Sequence, residues 1–220
     1  MARVRDGQEG EYQGVVREFC EWSERNGLFL NSAKTKELIL DFRKTKPPTQ
    51  PINIRGEDIE VLGVYKYLGV HIDDNLDWTL NIDALKKGRS RLFFLRRLRS
   101  FDVCHKMLVT FYQSVMASVL FYAAVCWGGN IKKEDADRIN KLVRKASSVV
   151  GQTLDPLEAV VERQMRGRTL TIMANTSHPL HPALVGQASY RRSGRFRSVP
   201  SRTDRYLYSF IPSAIRLLNS

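Results

Sequence analysis

Cysteine is scarce in this 220-residue chain, which has only Cys20, Cys104 and Cys126. They are odd in number, far apart and in no C-x-x-C pair. That excludes a disulfide framework or a zinc site built on paired thiols, and it fits a reducing compartment. The opening MARVRDGQEGEYQG lacks the apolar run of a secretory signal. The chain is therefore expected inside the cell, in nucleus or cytoplasm, and not secreted. The longest apolar stretch, Val115–Trp127, falls short of the ~20 helical residues that cross a bilayer. It reads as a buried core helix. No glycine-rich strand-turn-helix is present for a nucleotide, and no internal repeat appears. Acids are also unevenly scarce. Residues 84–101 contain none, and after residue 162 the only one is Asp204, against ten arginines.

What is present is enough for a packed core, with 43% hydrophobic residues. The spacing of Val15, Val16, Phe19 and Trp22 predicts a helix over 15–25, stopped by Asn26–Gly27. Short strands are expected at Leu28–Leu30, Glu37–Phe42, Ile52–Ile54, Ile59–Leu62 and Tyr65–Ile72, with turns at Lys46–Pro48 and Arg55–Gly56. From Asp77 the pattern turns helical, over 77–99, 103–127, 132–150 and 156–173. Ile139, Leu142, Val143, Ala146, Val149 and Val150 form the apolar stripe of the third helix, and Gly151 ends it. The fold class is α+β: a small antiparallel sheet with one helix, then a mainly helical, thumb-like bundle and an irregular basic tail. The divisions are a disordered 1–14, an α+β unit over 15–76, helices over 77–174 and an Arg-rich segment over 175–220, ending in a short helix at Ser213–Leu218.

The net charge of +12 calls for a polyanionic partner. In ALKKGRSRLFFLRRLRSF, residues 84–101, the basic side chains are Lys86, Lys87, Arg89, Arg91, Arg96, Arg97 and Arg99. Leu85, Leu92, Phe93, Leu95 and Leu98 lie roughly along the opposite stripe, so the helix is amphipathic. Arg191, Arg192, Arg195 and Arg197 repeat the chemistry in the tail, where Tyr190, Phe196, Tyr206 and Tyr208 interleave as stacking groups. These arginines and lysines are the expected nucleic-acid contacts. A solvated face, or a membrane-surface helix, is the competing use of the same residues.

The order of FCEWSERNGLFLNSAKTKELILDFR, then YKYLGVHIDDNLDW, then a basic helical region, resembles the end of the palm and the thumb of reverse transcriptases of LINE-type, non-LTR retrotransposons. SRTDRYLYSFIPSAIRLLN, with HPLH upstream, resembles their closing segment. The resemblance implies RNA-directed DNA polymerase ancestry, an RNA or RNA–DNA duplex as partner, and Mg²⁺ as the family's ion. Its catalytic aspartates lie upstream of the FCEWS block. The resemblance therefore implies no catalytic residue, no metal ligand and no cofactor here, no polymerase activity, and a partner chain to supply the palm and fingers. A rival reading brings Asp41, Asp73 and Asp74 together at strand ends as a Mg²⁺ site. A second resemblance links LNSAKTKELILDFRKTK to a short N-terminal module named after an AlkB-type alkylation-repair homologue, a protein pairing a 2-oxoglutarate dioxygenase with a methyltransferase. Dioxygenase chemistry needs two His and a carboxylate on Fe(II). His71-Ile72-Asp73 matches two of the three, leaving His105, His178 or His181 as the third. A last reading is a folded relic without function.

Overall fold

The computed structural model describes residues 9–43, 45, 50–85, 88–186 and 195–220. It is an α+β protein that divides into two compact units, Met1–Asp77 and Trp78–Ser220. The turn expected at Lys46–Pro48 lies outside the described residues.

Unit 1 begins with helix α1, Glu9–Arg25, which starts six residues ahead of the expected position and takes in part of the segment expected to be disordered. Gly27, at φ 71°, lies just past its end and takes up the left-handed conformation that glycine adopts without strain. Tyr12, Val16 and Cys20 on α1, with Leu30, pack on a cluster of Ile52, Ile54 and Ile59. The strands are shorter than their apolar runs suggest. They are β1 (Lys36–Glu37), β2 (Asn53–Ile54), β3 (Glu57–Asp58), β4 (Glu60–Val61), β5 (Val64–Tyr67) and β6 (Val70–Asp73). β2 and β3 pair antiparallel, as do β5 and β6, while β1 and β4 pair in parallel. Leu28–Leu30 and residues 38–42 form no strand.

The expected single strand Tyr65–Ile72 is in fact the β5–β6 hairpin. Its two turn residues, Leu68 and Gly69, have φ of 47° and 88°. A two-residue loop with both φ positive matches the natural twist of the flanking strands. Leucine pays for that conformation, which is why the sequence does not announce it. The β2–β3 turn uses the same device at Arg55 and Gly56. Arg55 also donates to Glu24 at 2.7 Å and lies over the Phe29 ring, tying the hairpin to α1.

Unit 2 contains α2 (Thr79–Leu85), α3 (Gly88–Ser100), α4 (His105–Phe111), a π-helical segment (Tyr112–Ala117), α5 (Ser118–Leu120), α6 (Ala124–Trp127), α7 (Lys133–Val150) and α8 (Leu157–Ala174). From His105 to Trp127 the chain is long and apolar enough to cross a membrane by length and composition; counting from Val115 alone missed this. Leu108, Tyr112, Met116, Leu120 and Ala124, each four residues apart, are nevertheless all buried. Steps of four overshoot an α-turn of about 3.6 residues, so such a stripe drifts around a regular α-helix. The π segment, with its wider i→i+5 turns, takes up the surplus and keeps the stripe on one face. The helix then breaks at Phe121–Ala123, with Ala123 at φ 50°. Trp127, fully buried, donates its indole N–H to the Tyr122 carbonyl at 2.9 Å.

α7 carries its stripe as the spacing predicts, with Ile139, Val143, Ala146 and Val150 buried and Gly151 closing the helix at φ 85°. Asn140 ties it to the start of α8. Its side-chain oxygen accepts from the Leu157 amide at 2.8 Å, and its amide nitrogen donates to Glu158. Asp135, buried in the first turn of α7, accepts from Arg138 at 2.6 Å and from the Thr79 hydroxyl at 3.2 Å.

The tail does more than trail. After α9 (His181–Val185) and α10 (Asp204–Leu207), helix α11 (Phe210–Asn219) buries Pro212, Ala214 and Ile215 and packs on α8. The Asn219 side chain bridges the backbone of Phe196 twice, at 2.8 and 3.0 Å. Gly129 belongs to the Gly-Gly-Asn run that read as a helix break. A Cβ on it would stand 2.6 Å from the Tyr208 carbonyl, so glycine is what admits the C-terminal segment this close.

Candidate nucleic-acid interface

Helix α3 is built from Leu, Phe, Arg and Ser without a β-branched residue, which suits a helix interior. It stops in a Schellman arrangement. The Val103 amide donates to the Leu98 carbonyl and the Asp102 amide to the Arg99 carbonyl, at 3.3 and 3.2 Å, with Asp102 at φ 52° where glycine is usual. Leu98 and Val103 then pack on the same core, the hydrophobic contact that accompanies this stop. Arg97 and Arg99 occupy the last turn, where positive charge complements the helix dipole.

The inward face of α3 is Leu92 and Leu95, buried against Ala146 and Val150 of α7 and against Leu108, Tyr112 and Met116. Phe93, expected on this apolar stripe, is 57% exposed. α3 is covered on one side only, and Phe93 lies about 160° round the helix from Leu95 at two residues' distance. Phe94 and Phe101 are exposed with it, at 55% and 66%. The Phe93 and Phe94 rings meet edge to face at 5.7 Å, and the Arg97 guanidinium lies over the Phe101 ring at 5.6 Å.

The expected contacts divide accordingly. Arg91 is half-buried and donates to the Val115 carbonyl at 2.8 Å, bracing α3 to the π segment. Its charge is spent on the fold. Arg96, Arg97 and Arg99 are exposed, and none forms an ion pair among the described residues. Lys86, Lys87, Arg191 and Arg192 lie outside the described residues, as does the side chain of Arg89. In the tail Arg195 and Arg197 are exposed, flanking Phe196. Tyr190 lies outside the described residues, and Tyr208 is held under Arg216, 5.2 Å from the ring centre.

Two groups escaped the sequence reading. The three exposed phenylalanines were assigned to core or passed over, because an amphipathic count gives every apolar residue to the inward face. Lys141, Arg144 and Lys145 are exposed on α7, the helix packed against α3; their i, i+3, i+4 spacing was the available signal. Electrostatically the region is one-sided. Between Asp83 and Glu134 the only acid is Asp102.

The acidic residues weighed as metal ligands are engaged elsewhere. Asp41 holds Arg43 at 2.7 Å. Asp73 accepts from the amides of Asn75 and Asp77, at 3.1 and 2.7 Å, organising the turn after β6. Among the described residues no group of three His, Cys, Asp or Glu is placed to hold a metal ion. That includes His71 and Asp73, for which neither His105, His178 nor His181 provides a third ligand.

A family model described as alkylated DNA repair protein alkB homolog 8, N-terminal, matches residues 78–118. The match takes in α2, α3, α4 and most of the π segment, under a fifth of the chain. It does not fall on residues 30–46, where the sequence placed that likeness. No curated protein and no solved structure matches the chain.

Proposed function

We propose that this chain binds nucleic acid through the outward face of α3, as a reverse-transcriptase-like fragment without polymerase chemistry of its own. The observation that carries the reading is the trio Arg96, Arg97 and Arg99, exposed on a helix that has no acidic residue to neutralise them. Guanidinium groups free of carboxylate partners are available to phosphate oxygens. The matched family is named for repair of alkylated DNA, and the match spans the whole of α3. A nucleic-acid partner is compatible with that name. The iron-dependent chemistry of an AlkB-type dioxygenase is a weaker reading, since it requires a ligand set that the described residues do not bring together.

Anisotropy of a labelled RNA–DNA duplex across a salt series tests the proposal. Three phosphate contacts give a log–log slope of about −3. Replacing Arg96, Arg97 and Arg99 together by glutamine weakens binding and flattens that slope. Absence of binding at low salt would end the proposal.

A further inference from the structure

We infer that the preferred ligand is unpaired nucleic acid, with Phe93, Phe94 and Phe101 stacking on its bases. This rests on the nucleic-acid reading above and adds a substrate class to it. In a duplex the base faces are already stacked on one another, and a protein meets only phosphates and base edges. Phenylalanine has no donor or acceptor for an edge. A ring face is all it offers, and only an unpaired base presents a face in return.

The geometry fits that use. Phe93, Arg97 and Phe101 recur at i, i+4 and i+8 along the outward side of α3, each exposed. Four residues of helix rise about 6 Å, close to the two layers of about 3.4 Å that a base needs between flanking planes. Arg97, already over the Phe101 ring, provides a flat cationic plane within the same ladder, while Arg96 and Arg99 stay available for the phosphates. Aromatic and basic groups are interleaved on one face rather than segregated. A membrane-surface helix instead separates an apolar stripe from a charged one, and here the separate apolar stripe, Leu92 and Leu95, is already buried in the core.

The test uses the full chain and three probes: a labelled single-stranded RNA of about 12 nucleotides, the same strand annealed to its complement, and vesicles containing phosphatidylserine. The expected result is single-strand binding at least about tenfold tighter than duplex binding. Changing Phe93→Leu with Phe94→Leu keeps the apolar bulk and removes the rings. It lowers single-strand affinity by about tenfold or more and leaves the duplex unchanged. Arg96→Gln weakens both and reduces the salt slope by about one. Both phenylalanines are exposed, and a far-ultraviolet melting curve confirms that the double variant stays folded. Equal affinity for the two nucleic acids, with no response to the phenylalanine changes, overturns the stacking inference and leaves the nucleic-acid reading intact. Failure of both nucleic acids at low salt overturns both readings. Vesicle binding that survives the leucine substitutions, with no single-strand preference, assigns the face to a lipid surface and overturns the inference.

Discussion

Unit 1 closes on three isoleucines and a valine, Ile52, Ile54, Ile59 and Val70, whereas more than twenty apolar side chains are buried in unit 2. Apolar residues are not what unit 1 lacks. Phe19, Trp22, Phe29, Phe42, Tyr67 and Leu68 are all there, and each is half or more exposed. What differs is the geometry available for covering them. Strands of two to four residues in two-stranded pairs have no second layer to pack on. The 18-residue helices α7 and α8 each present a long stripe to several neighbours. Burial therefore follows the length and number of packed elements more than composition, and stability should follow burial.

The hardest way to break the comparison is at Trp127. Its indole is fully buried and hydrogen-bonded, so Trp127→Ala should cost about 3–5 kcal/mol. Denaturant titration followed by helical circular dichroism measures it, and a loss below about 1 kcal/mol would show that the centre of unit 2 is not where burial places it. Ile54→Ala should remove about 2 kcal/mol from a unit with little to spare. Hydrogen exchange should then show α1 and the β2–β3 hairpin losing protection while α7 and α8 retain theirs.

Tyr112 sharpens the comparison through pH. Burial foremost, and then the nearby Asp155 charge, push its phenol up to about 12. The unfolded chain gives up that proton near pH 10. Between pH 10 and about 12 the folded form holds a proton that the unfolded form has lost, so stability is intact below pH 10 and falls as pH rises through that window. Tyr112→Phe keeps the ring in place and should remove this part of the alkaline loss, seen as a flatter melting temperature from pH 9.5 to 11.5 (roughly the span between the two pKa values). Unit 1 provides the smallest change. Leu68, at φ 47° in the β5–β6 turn, should become Gly with a gain of about 1 kcal/mol, read as slower amide exchange in that hairpin alone. Slower exchange throughout the chain would contradict a local origin.

How much of this was legible depends on where the signal resides. The stripes of α7 and α8 could be read because each apolar residue at helical spacing met a partner, and because Gly151 marks a helix end by its chemistry. The β5–β6 turn could not, because Leu68 is an ordinary strand former and its positive φ is imposed by the pairing of Val64 with Asp73 and Tyr67 with Val70. The outward phenylalanines of α3 were hidden for a different reason. Sequence spacing shows that a helix has an apolar face, yet how many sides its neighbours cover is a tertiary fact. Arg91 and Arg97 look alike in the sequence for the same reason, though one braces the fold and the other faces solvent.

The wide turn in the fourth helical segment also has a meaning for insertion and deletion. A helix with one residue too many for its neighbours has two ways to respond: rotate everything downstream, or absorb the extra residue where it stands. Tyr112–Ala117 has taken the second course. Removing a single residue there would restore regular α-helix and at the same time turn Leu120, Ala124 and Trp127 by about 100° away from the positions they now fill. The irregular stretch is thus the part of the helix least free to be made regular.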